Sequence, residues 1–183
     1  MPKDSLEQDG RDPASRAVHL RKPTAEDGSG IWQLVRACAP LDENSMYCNL
    51  IQADHFADTC VVAERHGRIV GWVSGHMIPG EDTFFVWQVA VSAEARGMGL
   101  GGRMLSHLVA RPECRAARHL KTTITKSNAA SWALFRGFAR RLGGDLTDAP
   151  HFERDRHFDG AAATEHMVTI SLPRAQTRLR AVA

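Results

Sequence analysis

Trp87-Gln88-Val89-Ala90-Val91-Ser92-Ala93-Glu94-Ala95-Arg96-Gly97-Met98-Gly99-Leu100-Gly101-Gly102-Arg103 is the stretch on which the fold turns. It reads as the end of a long apolar strand, Thr83–Val91, a glycine-rich turn, and a helix whose Met104, Leu105, Leu108 and Val109 recur at helical spacing. Gly97, Gly99 and Gly102 spell G-x-G-x-x-G. A dinucleotide fold also requires a carboxylate about 20 residues on, within a parallel β-α-β unit. That region here is His119-Leu120-Lys121-Thr122-Thr123, which has none, and the strands before the turn follow one another as an antiparallel meander. A second phosphate pattern, R-x-x-G-x-G, is met by Arg96, Gly99 and Gly101. Glycines let backbone N–H groups face an anion without a Cβ in the way, and the helix start behind them adds oriented donors and positive dipole. Arg103, in the first turn of that helix, either adds charge at a phosphate or serves the surface.

Upstream, residues 18–21 read as a short strand. Thr24-Ala25-Glu26-Asp27 reads as a capping box, and Ile31, Leu34, Val35 and Cys38 follow at helical spacing until Pro40. Residues 42–56 read as a second, shorter helix. Residues 59–64 and Arg68–Met77 are strands joined by a His66-Gly67 turn. Downstream, His119–Thr125 is a strand, residues 127–141 a helix, residues 143–160 a loop and residues 165–172 a last strand. Residues 143–163 are open to reading as a lid over a substrate or as a mobile loop. The class is α/β, with a mixed, mostly antiparallel central sheet. Residues 1–17 are expected to be a mobile leader, 18–172 one domain, and 173–183 a frayed tail.

Composition narrows the function. The chain has 183 residues, 43% of them hydrophobic, and a formal net charge of +2. It is long and apolar enough for one core. Its balanced charge supports neither a nucleic-acid nor a membrane partner, and no stretch approaches the ~18 apolar residues of a spanning helix. With no apolar signal region at its start, the expected location is the cytoplasm. Cys38, Cys48, Cys60 and Cys114 form no C-x-x-C pair, so buried free thiols are expected. The nine histidines show no metal-ligand spacing, so no metal is expected.

The turn after Trp87-Gln88-Val89-Ala90-Val91 resembles motif A of the GNAT superfamily of acyl-CoA-dependent N-acetyltransferases. Asn128-Ala129-Ala130-Ser131-Trp132-Ala133-Leu134-Phe135-Arg136-Gly137-Phe138 resembles motif B, with Gly137-Phe138 one residue early. The resemblance implies a GNAT fold with helices on both faces of the sheet. It also implies a cosubstrate acetyl-CoA whose pantetheine arm pairs with backbone at Val89 and Val91. Its pyrophosphate would lie on Arg96, Gly97, Met98, Gly99, Leu100, Gly101, Gly102 and Arg103, with Asn128 a further contact. Phe135 stands where the family often has a tyrosine that protonates the departing thiolate. A phenyl ring cannot donate that proton, so another group or water does so, or the thiolate leaves unaided, as its low pKa permits.

Four further runs resemble one subfamily, the L-2,4-diaminobutyrate acetyltransferases of ectoine synthesis: D-x-N-S-x-Y at residues 42–47, F-V-W-Q-V-A-V at 85–91, A-R-G-x-G-L at 95–100 and T-T-I-T-x-x-N at 122–128. The likeness covers residues 20–170. It implies transfer of acetyl to the γ-amine (N4) of diaminobutyrate, with a role in osmoprotection, and a homodimer. Asp42, Tyr47, Trp87 and Glu165 are the implied acceptor-site residues. The family's G-x-H-x-x-E element is met by Glu165, but its histidine position falls on Ala162, and His166 and His151 are its two conceivable substitutes. The chemistry asks for such groups independently. An amine attacks a thioester only when neutral, so a carboxylate or ordered water must take its proton. Asp42 and Glu165 suit ammonium groups, and Trp87 and Tyr47 suit a slot with cation–π character. As candidates in catalysis we name Glu165 first, then Asp42, with the Tyr47 hydroxyl as a further hydrogen-bonding group. Another small amine or a protein amine is the alternative acceptor.

Overall fold

The computed structural model describes residues 18–39 and 41–173. The expected leader and the tail beyond Pro173 lie outside the described residues. The chain runs β1 (His19–Arg21), α1 (Gly28–Arg36), α2 (Met46–Asp54), β2 (Val61–Arg65), β3 (Arg68–Met77), β4 (Thr83–Val91), α3 (Leu100–Val109), β5 (His119–Thr125), α4 (Ala129–Leu142), β6 (Leu146–Phe152), a short α5 (Arg154–His157) and β7 (Glu165–Ser171). The seven strands form one sheet in the order β1-β2-β3-β4-β5-β7-β6. Every pairing is antiparallel except β4 with β5. A mixed, mostly antiparallel sheet with helices on both faces is what the sequence led us to expect.

Two apolar layers hold this arrangement. On one face, Met104, Leu105 and Leu108 of α3 and Phe135 and Phe138 of α4 pack on Val61, Val73, Phe84, Leu120, Val168 and Ile170. On the other, Ile31, Leu34 and Val35 of α1 and Ala53 of α2 cover Val62, Trp72 and Ala90. Helix α3 comes close to the sheet because residue 71 is glycine. A Cβ there would stand 3.0 Å from both Ala63 Cβ and Met104 Cε.

The sheet carries two departures from regularity that make the site. First, β4 pairs with β5 only through Thr83, Phe84 and Phe85 opposite His119, Leu120 and Lys121. From Val86 onward the two strands part. Second, Ser74 lies opposite Gln88 while Gly75 lies opposite Val86, so Trp87 is the extra residue of a bulge. A bulge reverses the in–out alternation beyond it. Phe84 and Val86 therefore face the α3–α4 layer, while Ala90 faces the α1–α2 layer. Glycine opposite the bulge is a steric necessity, since a Cβ on Gly75 would lie 2.6 Å from the Phe85 carbonyl oxygen.

Three boundary expectations are corrected. The helix expected over residues 42–56 begins only at Met46, and its N-cap is Ser45, whose hydroxyl accepts from Cys48 N at 3.1 Å. Asp42 is thereby free of a capping role. The capping box expected at Thr24-Ala25-Glu26-Asp27 is present, with Thr24 N donating to Asp27 Oδ2 at 2.8 Å, but it opens a 3-10 turn, Ala25–Asp27, and α1 itself begins only at Gly28. Residues 143–160 are not a loop, since they contain β6 and α5. Strand β6 is an edge, exposed at six of its seven positions, so it has no buried face to impose alternating apolar residues. It is held by its ladder to β7.

Candidate active site

Where β4 and β5 part, a cavity of about 370 Å³ opens, with Val86, Trp87, Gln88 and Val89 on one wall and Thr122, Thr123, Ile124 and Thr125 on the other. Leu41 and Asp42 from the α1–α2 connection close one end. Asn128, Ser131 and Phe135 of the α4 region and Ala162, Ala163 and Glu165 before and on β7 complete it. The parted strands leave the β4 backbone at Val89 and Val91 without a strand partner on the β5 side, and such groups need partners.

At the C-terminal end of β4 the chain passes through a 3-10 turn, Ala93–Ala95, into the glycine turn. Arg96 is exposed, and its Nε donates to the Val91 carbonyl at 3.1 Å. Gly97 and Gly99 have φ of +76° and +67°, the left-handed region that side-chain-bearing residues avoid. Gly99 is the N-cap of α3, so the N–H groups of Leu100, Gly101 and Gly102 fall in the first turn, where no carbonyl within the helix can accept from them. Leu100 is buried and anchors the turn, while Arg96, Gly97, Met98 and Gly99 are exposed around it. Arg103 is exposed one turn on. Gly101 has a packing reason of its own, while the group nearest Gly102 is the movable end of an exposed arginine. A Cβ on Gly101 would meet Leu134 Cδ1 at 3.1 Å, and one on Gly102 the Arg141 guanidinium at 2.7 Å. This end of the site is a bed of backbone donors, suited to an anion.

The cavity lining is acidic. Asp42 and Glu165 both line the cavity, and no Lys, Arg or His is among its described lining residues. Burial pushes the Glu165 carboxyl above its ordinary pKa, and the Asp42 charge pushes it further the same way. A hydrogen bond with the Thr123 side chain and the neighbouring His166 oppose that rise. Glu165 is thus a carboxylate made more basic than usual, which is the property a proton acceptor needs.

The structure places the residues named from the sequence as follows. Asp42, Trp87, Val89, Asn128 and Glu165 meet in the cavity. Trp87 is 53% exposed, and its position in the bulge puts it at the rim. Asn128 also caps α4, its Oδ1 accepting from Ser131 N at 3.0 Å. Val91 and residues 96–103 are not among the cavity residues, and neither is Tyr47. It sits in the first turn of α2 and is 71% exposed. His166 is 5% exposed and pairs with Asp148 Oδ2 at 3.1 Å. It alternates with Glu165 along β7, so it points to the other face of the sheet. His151 lies exposed on β6. Neither histidine stands where Ala162 does. Cys60 and Cys114 are buried, and burial raises their thiols to about 12 and about 11. Cys48 is raised for the same reason. Such thiols are poor nucleophiles at neutral pH. Among the described residues, no group of three or more His, Cys, Asp or Glu is placed to hold a metal ion.

Sequence reasoning missed Gln88, Thr122, Thr123, Thr125 and Ser131. Thr123 and Thr125 alternate along β5 and share a face, with Thr122 on the other, and that polar alternation was the available signal. Nothing in the sequence marked the bulge that turns Gln88.

Comparison with known proteins fits this geometry. The sequence model of the acetyltransferase (GNAT) family matches residues 29–139. The L-2,4-diaminobutyric acid acetyltransferase of Methylotuvimicrobium alcaliphilum is 47% identical over 154 residues, covering 84% of this chain and 90% of that protein. The enzyme of the same name from Halomonas elongata is 45% identical, over 84% of this chain and 80% of that one. Among solved structures, diaminobutyrate acetyltransferase EctA from Paenibacillus lautus, in complex with L-2,4-diaminobutyric acid and coenzyme A, superposes with a TM-score of 0.81 at 37% identity. It covers 85% of this chain and 95% of its own. Ard1 from Thermoplasma volcanium, at 15% identity and a TM-score of 0.67, shares the fold.

Proposed function

The chain belongs to the GNAT acetyltransferases and, within them, to the L-2,4-diaminobutyric acid acetyltransferases, and from that membership we infer that it transfers acetyl from acetyl-CoA to the γ-amine of L-2,4-diaminobutyrate, yielding the N4-acetyl product used in ectoine synthesis. The observation that carries this reading is a site in two adjoining parts, the backbone donors of the glycine turn that follows β4 and the cavity between the parted strands with two carboxylates in its lining. The first part suits a pyrophosphate, and the cavity beside the parted β4 suits a pantetheine amide chain. The two carboxylates suit a small molecule with two amines.

The division of labour follows from the chemistry. In the proposed arrangement, the glycine turn from Arg96 to Arg103 holds the phosphates, and the β4 backbone at Val89 and Val91, which has no strand partner on the β5 side, holds the pantetheine arm, with Asn128 beside it. Asp42 and Glu165 face the acceptor's ammonium groups, and Trp87 forms the rim of the slot. Glu165, with its raised pKa, takes the proton from the γ-ammonium directly or through water. The neutral amine then attacks the thioester carbon. A backbone N–H near Val89 stabilises the oxyanion, a contribution that is commonly among the largest in acyl transfer. Collapse breaks the C–S bond, the surplus proton on the new amide nitrogen passes to the departing thiolate or to water, and the thiolate, with its low intrinsic pKa, needs no tyrosine at position 135. The raised thiols of Cys60 and Cys114 favour direct transfer over an acetyl-enzyme. Tyr47, exposed on α2, belongs to this account only if it closes over a bound acceptor.

Cytoplasmic location, a homodimer and a role in osmoprotection complete the proposal. No described helix is long and apolar enough to cross a membrane. Sedimentation at micromolar concentration tests the dimer. The activity is tested by acetyl-CoA consumption with L-2,4-diaminobutyrate beside ornithine and lysine, with NMR assignment of the acetylated nitrogen. Turnover strongest on diaminobutyrate and confined to its γ-nitrogen is expected. Turnover on the other amines alone would overturn the acceptor and leave the fold standing.

A further inference from the structure

Asp42 is exposed and sits on a connection rather than on a strand or helix. A carboxylate on a mobile connection would be a poor partner for one ammonium of a two-amine substrate, because selectivity demands placement to within a fraction of an ångström. Something must hold it. Among the described residues, a single side chain hydrogen-bonds residues 41–45 to the sheet. Gln88 Nε2 donates to the Asp42 carbonyl oxygen at 2.9 Å, and Gln88 Oε1 accepts from Asn44 Nδ2 at 3.3 Å. Both ends of the amide are used, one on each side of Glu43. Gln88 itself is 7% exposed and wedged under the connection.

The bulge explains how it gets there. Without the extra residue at 87, an even-numbered side chain on β4 would continue to face α3 and α4, as Phe84 and Val86 do. With it, position 88 turns to the α1–α2 face, beside the connection. The same irregularity that brings Trp87 to the rim of the cavity therefore aims Gln88 at the backbone of Asp42.

We propose that Gln88 is a positioning residue for the acceptor: its amide clamps residues 42–44 onto β4 and so sets where the Asp42 carboxylate stands relative to Glu165. It need not touch the substrate. The proposal rests on the assignment of diaminobutyrate as acceptor, with Asp42 among the residues that read it.

Two variants test it in the full chain. Gln88→Met keeps the volume and removes both hydrogen bonds. Its KM for diaminobutyrate should rise about tenfold or more, while its KM for acetyl-CoA stays within about twofold of wild type. Gln88→Glu keeps an acceptor for Asn44 but sets a carboxylate against the Asp42 carbonyl. Protonation of that introduced carboxyl restores a donor. Its kcat/KM for diaminobutyrate, taken as a ratio to wild type at each pH, should therefore climb as pH falls, and a packing role would not produce that slope. If Gln88→Met does not fold, the pH ratio of Gln88→Glu decides alone. The proposal is overturned if both KM values stay near wild type, if both rise together, or if the ratio is flat with pH. Failure of the wild-type chain to acetylate diaminobutyrate would be a different result, overturning the acceptor assignment itself.

Discussion

The glycine turn and the cavity beside it are built in opposite ways. At the glycine turn, one unbroken run, residues 96–103, supplies the groups, and most of them are backbone N–H. Two positive-φ glycines and a helix start fix their direction. On the proposed acceptor side, Asp42, Trp87, Thr123 and Glu165 come from four separate segments of the cavity lining, and the proposed chemistry rests on their side chains. A backbone cradle is indifferent to most side-chain changes and sensitive to φ. A side-chain cluster is the reverse. The first can serve many acceptors; the second selects one.

That contrast can be broken most sharply at Glu165. Glu165→Gln should lower kcat with diaminobutyrate by about 100-fold or more, in the range that a lost general base costs, with acetyl-CoA binding measured by calorimetry unchanged. Its effect on stability has the opposite sign. Burial and the Asp42 charge raise the folded-state pKa above the unfolded one. A raised carboxyl contributes stability fully below its unfolded pKa and loses it as pH rises through the folded pKa. At pH 7 the ionised group is therefore a cost, and the variant's Tm should exceed that of wild type by about a degree or two, the gain vanishing near pH ~4. A large fall in Tm would show that Glu165 serves the fold rather than the acceptor.

Gly99→Ala probes the other end. An alanine at φ +67° costs about 1–2 kcal/mol of backbone strain. The KM for acetyl-CoA should rise about tenfold, the KM for diaminobutyrate should move little, and Tm should fall. Equal rises in both KM values would dissolve the division between the two ends. Smaller still is the expected effect of Asp42→Asn, which keeps the shape and removes one charge. It should raise the KM for diaminobutyrate about fivefold, and should also lower the Glu165 pKa by removing the like charge, shifting the acid limb of the pH profile down. The smallest is Phe135→Tyr. Phe135 borders the cavity and is 2% exposed. If thiolate departure needs no donor, kcat should stay within about threefold of wild type. A larger rise would show that protonation of the leaving group limits the reaction.

The same contrast explains what the sequence could tell. The turn was legible because its residues are contiguous and because positive φ selects glycine, leaving a trace at Gly97 and Gly99. Strands β3, β4 and β5 were legible to the residue, because their apolar patterns and bounding turns are local. Strand β6 was not, since an edge strand with no buried face leaves no pattern and is defined by its partner β7. The start of α2 was misplaced because Asp42 and Ser45 are both acceptable caps and only packing chose between them. At the acceptor end, Asp42, Trp87 and Glu165 were found through resemblance alone. Gln88 escaped because its orientation depends on a bulge, which comes from the pairing of two strands. Small side chains at 162 and 163 line the wall beside Glu165.

The most direct test of this account is the pH dependence of kcat/KM for diaminobutyrate in wild type and in Glu165→Gln. The account predicts a wild-type acid limb set by one group titrating above the ordinary glutamate range, absent from the variant, whose residual rate stays low across that range. The same limb in both proteins would contradict it and move the proton acceptor away from Glu165.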